Sequence, residues 1–139
     1  MTKLKTKNKK KKVKVKNYES SKMAYNFSFV SKRKDYSISS CGNKTKLKLL
    51  EVIEKHSQFD KVYLLNLDKT TGLETLPANV VKPNVHPDFV KSGRDDYSSD
   101  KFFVFRIGNN KERVIGKIID NIFYVLFVDE KGKAYNHGS

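Results

Sequence analysis

The residues most suited to chemistry lie near the C-terminal end of the chain, where cationic side chains accompany a phenol and an imidazole. They are Arg106, Arg113, Lys117, Lys131, Lys133, Tyr135 and His137. RNA can be cleaved without a metal when the 2′-hydroxyl loses a proton, the scissile phosphate is stabilised by positive charge and the leaving oxygen gains a proton. Arg and Lys suit the second task, and Tyr or His suits the first or third. The combination therefore indicates chemistry on an RNA phosphate.

Three strands joined by tight turns are predicted for the stretch that holds most of these residues. A Gly-Asn-Asn turn separates Lys101–Ile107 from Arg113–Ile119. The pair Asp120-Asn121, which tolerates positive φ, separates the second strand from Ile122–Val128. The last strand is almost wholly apolar, so we expect it to be covered on both faces. Alternating apolar residues in the first strand place Arg106 on the opposite face.

The hairpin geometry predicts that Arg113 and Tyr135 meet on one surface. Arg113 opens its strand and therefore lies beside the end of the next strand, because the two strands are antiparallel. A few further residues can return Tyr135 to the same place, with Lys131 or Lys133 close by. Lys117 is expected on the same side of its strand as Arg113. The competing interpretation is that these cations form the solvated face of a sheet that is wet on one side.

The upstream sequence is predicted to add extended segments and one main helix. The extended segments are Tyr25–Val30, Tyr36–Ser40 and Lys61–Leu67. The helix begins at a cap formed by Asn43 or Thr45 and ends near His56. Its apolar stripe is formed by Leu47, Leu50 and Ile53 and is widened by Leu49 and Val52. Residues 74–100 show no sustained periodicity apart from a short helical turn that begins at 86. We therefore expect an α+β fold, with an antiparallel or mixed sheet of four to five strands and one main helix packed on it.

Positive charge is distributed unevenly along the 139 residues. Of the net charge of +14, residues 1–22 contribute +9 through ten Lys and one Glu. We expect 1–22 to be a disordered low-complexity tail and 23–139 to form a single domain. The tail is expected to contact RNA phosphates. The alternatives are a purely solubilising role, or upstream sequence before an internal start at Met23. The lysines concerned are Lys9, Lys10, Lys11, Lys12, Lys14 and Lys16.

Several other classes of function are not indicated. The chain has no glycine-rich phosphate loop, no GxSxG or HExxH motif and no paired-cysteine site, so we expect neither a metal nor a cofactor. Cys41 is the only cysteine, which excludes an internal disulfide and suits a reducing compartment. No apolar run approaches the ~18 residues of a membrane span, and no apolar segment follows the basic N-terminus. A cytoplasmic protein without membrane contact is therefore expected.

The stretch Phe102–Tyr135 resembles the C-terminal sheet of the RelE-type toxins. It has a strand, a polar turn, an arginine that opens the next strand, a short hairpin, a hydrophobic strand and a basic segment with a tyrosine. The resemblance implies a metal-independent mRNA endoribonuclease of a toxin–antitoxin module, with the ribosome and a cognate acidic antitoxin as partners. It also implies that Arg113 holds the scissile phosphate, that Lys131 or Lys133 supplies a second cation and that Tyr135 lies near the reacting ribose. Lys91, Arg94 and Lys101 lie in the neighbourhood where the family has additional basic residues before the sheet.

The C-terminal end also resembles small uncharacterised bacterial proteins linked to mobile elements, with a pattern R-[VI]-x-G, then FYVL, then D-x-x-H-x-x-Y. These pieces correspond to 113–116, 123–126 and 129–135, and Gly132 occupies the histidine position. His137 is the candidate substitute for that histidine. Two further interpretations stay open. One is a non-catalytic RNA- or ribosome-binding accessory protein of a phage or mobile element, and the other is a protein that acts through protein contacts alone.

Overall fold

The computed structural model describes residues 22–68, 71–108 and 110–136. This part of the chain has the predicted α+β fold, with five strands in one sheet and one long helix. In chain order the elements are β1 (Ala24–Asn26), α1 (Asn43–His56), α2 (Lys61–Asn66), β2 (Glu74–Pro77), α3 (Pro87–Lys91), β3 (Lys101–Arg106), β4 (Arg113–Ile119) and β5 (Ile122–Asp129).

The sheet is mixed, and its strands stand in the order β1-β5-β4-β3-β2. β1 is parallel to β5, and the other neighbouring strands are antiparallel. The predicted three-strand meander is confirmed as β3, β4 and β5. Its predicted hairpin is also confirmed at Asp120-Asn121, where Asp120 has a φ of 55°. This arrangement brings the start of β4 beside the end of β5.

Both faces of the sheet are covered. On the first face, α1 packs through Leu49 onto a cluster that includes Phe105 and Phe123. On the second face, Phe89 and the residues around Tyr36 cover a cluster of strand residues. The main strand residues of that second cluster are Phe102, Val104, Ile115, Leu126 and Phe127. The prediction that β5 is buried on both faces is therefore confirmed.

The interpretation of the cations as a solvated face is wrong for Arg113 and Lys117 of β4. Alternation along the strands puts Arg106, Arg113 and Lys117 on the second face, as predicted. That face is covered by the segments around α3, and Arg113 and Lys117 are only 6% and 7% exposed. Two cations that are so strongly desolvated need a structural or functional reason, because burying a charge is costly unless it is compensated.

The predicted extended segments of the N-terminal half differ from the structure. β1 ends at Asn26, because the side-chain oxygen of this residue accepts a hydrogen bond from the Ser28 N–H and forms a turn. Tyr36–Ser40 forms turns, in which the Ser37 hydroxyl accepts a hydrogen bond from the Ser40 N–H. Lys61–Leu67 is predicted as a strand but contains α2, since only Leu64 of its apolar run is buried.

The predicted span of the main helix is confirmed, its predicted cap is wrong, and its predicted apolar stripe is confirmed only in part. Gly42 is the N-cap residue, and the carboxylate of Glu130 accepts hydrogen bonds from the Gly42 N–H and the Thr45 hydroxyl. Leu47 and Leu50 are exposed, whereas Leu49 is buried and Val52 and Ile53 pack against the first-face cluster. A carboxylate from a distant segment thus replaces the local cap that the sequence favours, and neither Asn43 nor Thr45 occupies the cap position.

Residues 74–100 contain more regular structure than the sequence indicates. β2 pairs with β3 and supplies the fifth strand of the sheet at one edge. The predicted helical turn after His86 is present as α3. Two short 3-10 turns, Ala78–Val80 and Arg94–Tyr97, complete the region. β2 escapes sequence analysis because it is short and ends at Pro77, a residue that ordinarily argues against a strand.

A buried histidine makes the stability of this fold depend on pH. His56 is 2% exposed, and its Nδ1 lies 2.9 Å from the hydroxyl oxygen of Tyr25. Burial lowers the pKa of His56 below its ordinary 6.5, although a hydrogen bond to the Thr71 backbone opposes this effect. The unfolded chain then binds the proton at a higher pH than the folded chain does. The free energy of unfolding should therefore fall as the pH drops below about 6.5.

Chemical denaturation of the wild type and of two variants at pH values between about 7.5 and 5.5 measures this dependence. His56→Gln should flatten it. His86→Gln, a change at a partly exposed histidine, should retain it. Equal pH dependence in the wild type and in His56→Gln would show that His56 is not the responsible group.

Candidate functional site

Arg113 occupies the first position of β4 and has an unsatisfied donor. In the sheet it stands directly across from Arg106 of β3 and Asp129 of β5. Its Nη1 donates hydrogen bonds to the carbonyl oxygens of Asn110 at 2.8 Å and Glu112 at 3.0 Å. Its buried Nε has no hydrogen-bond partner among the described residues. Buried donors without partners are uncommon in native proteins, so this one needs an explanation.

Tyr135 meets Arg113, as the hairpin geometry predicts. The two side chains are hydrogen-bonded, and Tyr135 is only 7% exposed. Burial raises the pKa of Tyr135, and the hydrogen bond from Arg113 offsets part of that rise. The phenol is therefore protonated at neutral pH and can act as a proton donor rather than as a base.

The turn between β5 and Tyr135 is held by a buried carboxylate. Asp129 is fully buried, and its two oxygens accept hydrogen bonds from the N–H groups of Lys133 and Ala134, each at 2.9 Å. The Ala134 carbonyl accepts a hydrogen bond from the Lys82 N–H at 2.7 Å. Gly132 has a φ of 68°, which favours glycine at this place. These contacts fix the return of the chain that brings Tyr135 to Arg113.

Asp129→Asn should destabilise this turn. An amide offers one acceptor oxygen where the carboxylate offers two, so one of the two backbone N–H groups loses its partner. A buried unsatisfied donor costs about 1–3 kcal/mol, and we expect that decrease in the free energy of unfolding, measured by urea denaturation. Asp35→Asn, the same chemical change in a partly exposed residue, is the matched control and should have little effect. Equal effects of the two substitutions would contradict the role given to Asp129.

A cleft of about 530 Å³ opens beside Arg113 and Tyr135. We call it the Arg113 cleft, and it is lined by Lys82, Asn110, Lys111, Arg113, Gly132, Tyr135 and Asn136. The described residues that line it include three cations and no carboxylate. Its chemistry therefore suits an anion that offers several oxygen acceptors, and Arg matches the geometry of phosphate oxygens closely.

Lys131 and Lys133 do not line this cleft, contrary to the prediction. Their ammonium groups lie 3.5 and 3.6 Å from the two carboxylate oxygens of Asp35, and both side chains are about half exposed. The additional cations beside Arg113 are instead Lys82 and Lys111. Sequence analysis missed them because Lys82 lies in the irregular region and Lys111 lies in a turn. The spacing of Lys111 two residues before Arg113 is the only signal that could have indicated it.

Arg106 extends the positive charge of this region. It is the direct cross-strand partner of Arg113, and its positive charge acts to lower the pKa of Tyr135. Its Nε is also buried without a hydrogen-bond partner among the described residues. Like charges placed directly opposite each other destabilise an antiparallel pair. Asp129 of β5, the other cross-strand neighbour of Arg113, offsets part of this repulsion.

The other two predicted RNA-binding cations of the domain lie apart from the Arg113 cleft. Lys117 is bound internally: its ammonium group lies 3.2 Å from Asp95 Oδ1, 3.1 Å from the Ser99 carbonyl oxygen and 4.9 Å from the centre of the Phe102 ring. Its contacts are those of a structural residue. Arg94 is exposed and stacks on the rings of Phe29 and Tyr124, with its Nε donating to the Tyr124 hydroxyl at 3.3 Å. Arg94 remains accessible to a ligand.

Some predicted site residues lie outside the described residues. These are Lys9, Lys10, Lys11, Lys12, Lys14, Lys16 and His137. Within 22–68, 71–108 and 110–136, no group of three His, Cys, Asp or Glu residues is arranged to bind a metal ion. No helix in these ranges is long and apolar enough to cross a membrane. Comparisons with protein-family models, with curated proteins and with solved structures found no match to this chain.

Proposed function

We propose that this chain is an RNA-binding protein that holds an RNA phosphodiester in the Arg113 cleft and cleaves it as a metal-independent, toxin-like endoribonuclease. The observation that carries the proposal is the position of Arg113, with Lys82 and Lys111, in a cleft whose described lining residues include no carboxylate. The resemblance of the meander to RelE-type toxins supports the same activity. Among oxygen-rich anions, a polynucleotide also suits the strongly basic character of the whole chain.

In the proposed reaction, the 2′-oxygen of the ribose attacks phosphorus and the bond between phosphorus and the 5′-oxygen breaks. Arg113, with Lys82 and Lys111, stabilises the negative charge that develops on the phosphoryl oxygens. Tyr135 donates its proton to the leaving 5′-oxygen and regains a proton from water. His137, two residues beyond Tyr135, is our candidate for the base that removes the proton of the 2′-hydroxyl.

A non-catalytic RNA- or ribosome-binding protein is the second candidate. It is favoured by the composition of the Arg113 cleft, in which the described lining residues offer no imidazole and no carboxylate as a base. The phenol of Tyr135 is protonated at neutral pH, so it cannot take the role of the base without first losing its proton. RNA binding without strand cleavage would support this candidate.

The proposal also covers partners and setting. A toxin of this kind acts in the cytoplasm on free or ribosome-bound mRNA, and a cognate acidic antitoxin would neutralise it. The net charge of +14 suits both an RNA and an acidic protein as partner. Association with a phage or mobile element fits either candidate function.

The decisive experiment is induced expression followed by mapping of transcript ends, together with incubation of purified protein and labelled RNA. We expect growth arrest, new transcript ends and cleavage that persists in the presence of EDTA, with or without ribosomes. RNA binding without new transcript ends would refute the nuclease and support the non-catalytic RNA-binding protein. The absence of both binding and cleavage would refute both candidates.

The basic N-terminal segment is predicted to contribute affinity rather than specificity. Deleting residues 1–21, which leaves the bridge between Lys22 and Asp60 intact, should reduce the slope of log K against log salt by about 0.7 for each lost phosphate contact. Binding titrations at several salt concentrations measure this slope. Replacing exposed Lys44 and Lys55 of α1 by Gln is the control. An unchanged slope after the deletion would contradict the electrostatic role.

A further inference from the structure

A second cleft borders the same loop as the Arg113 cleft. It has a volume of about 280 Å³, and we call it the Arg33 cleft. Lys32 and Arg33 line it from one side, and the segment 84–87 lines it from the other. Lys82 of the first cleft precedes Asn84 of the second by two residues, a distance of at most about 7 Å along the chain. One extended ligand can therefore occupy both clefts.

The Arg33 cleft combines an apolar surface with hydrogen-bonding groups. Val85 lines it and packs against the hydrophobic cluster of the second face of the sheet. Asn84 contributes an amide, which has both donors and an acceptor. The Nδ1 of His86 accepts a hydrogen bond from the Asp88 N–H at 3.1 Å, so the neutral ring carries its proton on Nε2. Such a combination recognises a flat heterocycle by its face and its polar edge.

The wall of this cleft is anchored to the sheet. Ser31 is buried, and its N–H donates to the Leu126 carbonyl oxygen of β5 at 2.9 Å. The Ser31 hydroxyl accepts a hydrogen bond from the Arg33 N–H at 3.2 Å, which holds the basic turn in place. The cleft is therefore largely formed before a ligand enters, as small-molecule sites usually are.

We propose that the Arg33 cleft binds the nucleobase of a nucleotide next to the phosphate held in the Arg113 cleft, so that the ligand is single-stranded RNA. This inference rests on the proposed function and adds the substrate class to it. The volume of about 280 Å³ lies just below the ~300–1,000 Å³ that is usual for pockets of drug-sized ligands, which suits a ligand as small as one nucleobase. A paired base cannot enter, because its edge and both faces are occupied within the duplex.

The test measures the binding of short labelled single-stranded RNAs of each base, and of a duplex, by fluorescence anisotropy. Asn84→Ala should reduce the preference between bases and weaken the preferred RNA by about tenfold, and Arg33→Ala should weaken all of them. Asn79→Ala and Lys34→Ala are the matched controls, since both residues are exposed and outside the two clefts. The duplex should bind at least about tenfold more weakly than the single strand.

The outcomes separate this inference from the proposed function. Loss of binding in Arg113→Gln, combined with control-like binding by Asn84→Ala and Arg33→Ala, would overturn the nucleobase site and leave the function intact. If the duplex binds as tightly as the single strand, the nucleobase site is likewise overturned and the proposed function is left intact. Equal RNA binding by the wild type and Arg113→Gln, or no binding at all, would overturn both. Thermal melting of each variant verifies that it is folded.

Discussion

Arg113→Gln is expected to reduce RNA cleavage by about 10²–10³-fold, because it removes a preorganised cation from the phosphate that reacts. The guanidinium already lies at the wall of the cleft, where its Nη1 donates hydrogen bonds to the carbonyl oxygens of Asn110 and Glu112. It therefore requires little reorganisation when the phosphate binds. Glutamine keeps an amide donor and most of the side-chain volume, so the buried position is filled.

Cleavage rates of the purified variant and growth after induction measure this effect, and thermal melting verifies the fold. Lys131→Gln and Lys133→Gln are the matched controls, since each removes one positive charge from the C-terminal segment at a side chain that pairs with Asp35 outside the cleft. They should cleave RNA at nearly the wild-type rate. A folded Arg113→Gln protein that retains full activity would refute the nuclease assignment, and reduced activity in the two lysine variants alone would place the site near Asp35.

Tyr135→Phe separates proton donation from binding. The substitution keeps the buried ring and removes only the hydroxyl, so RNA affinity should change little while the cleavage rate falls. Loss of a general acid typically costs about 10²–10⁴-fold in rate. If affinity and rate fall together by the same factor, Tyr135 contributes to binding rather than to proton transfer.

The meeting of Arg113 and Tyr135 could be predicted because it depends on local geometry. A hairpin at Asp120-Asn121 makes the start of β4 a neighbour of the end of β5, whatever the rest of the chain does. The strands themselves are indicated by alternation and by the apolar run of β5, which is typical of a strand covered on both faces. The C-terminal half of the fold therefore follows from the sequence.

The positions of the other cations could not be predicted, because they depend on contacts between distant segments. Asp35 lies about a hundred residues before Lys131 and Lys133 in the sequence, yet it binds both of them and draws them away from Arg113. Lys82 reaches the cleft through a backbone hydrogen bond to Ala134. No periodicity or turn signal near these residues carries that information.

The errors in the N-terminal half have a different cause. The pattern of the run KVYLLNL is compatible with a short buried strand and with a short helix. In the structure the run forms a helix, and Leu64 is its one buried residue. In α1, Leu47 and Leu50 share helical spacing with buried residues but face outward. The apolar stripe contains more residues than the sheet can cover, so the sequence could not show which of them are buried.

Phe123→Ala is the substitution with the largest expected effect on stability. Phe123 is fully buried in β5, and its ring centre lies 5.5 Å from that of Tyr25 and 5.3 Å from that of Phe105. A Cβ atom added at Gly116 would lie 2.6 Å from its Cε1, so the ring fills the space above the glycine. Removing the ring leaves a cavity between β5 and the first-face cluster, because backbone on one side and aromatic rings on the other limit any collapse.

We expect Phe123→Ala to lower the free energy of unfolding by about 3–5 kcal/mol, measured by urea denaturation. A domain of this kind has about 5–15 kcal/mol of stability in total, so the expected loss is a large fraction of it. Phe27→Ala is the matched control, since Phe27 is 38% exposed and lies outside both hydrophobic clusters. Phe27→Ala should lower the free energy of unfolding by a much smaller amount. An unchanged denaturation midpoint for Phe123→Ala would mean that β5 does not lie between β1 and β4, and the antiparallel pairing that brings Arg113 to Tyr135 would then be refuted as well.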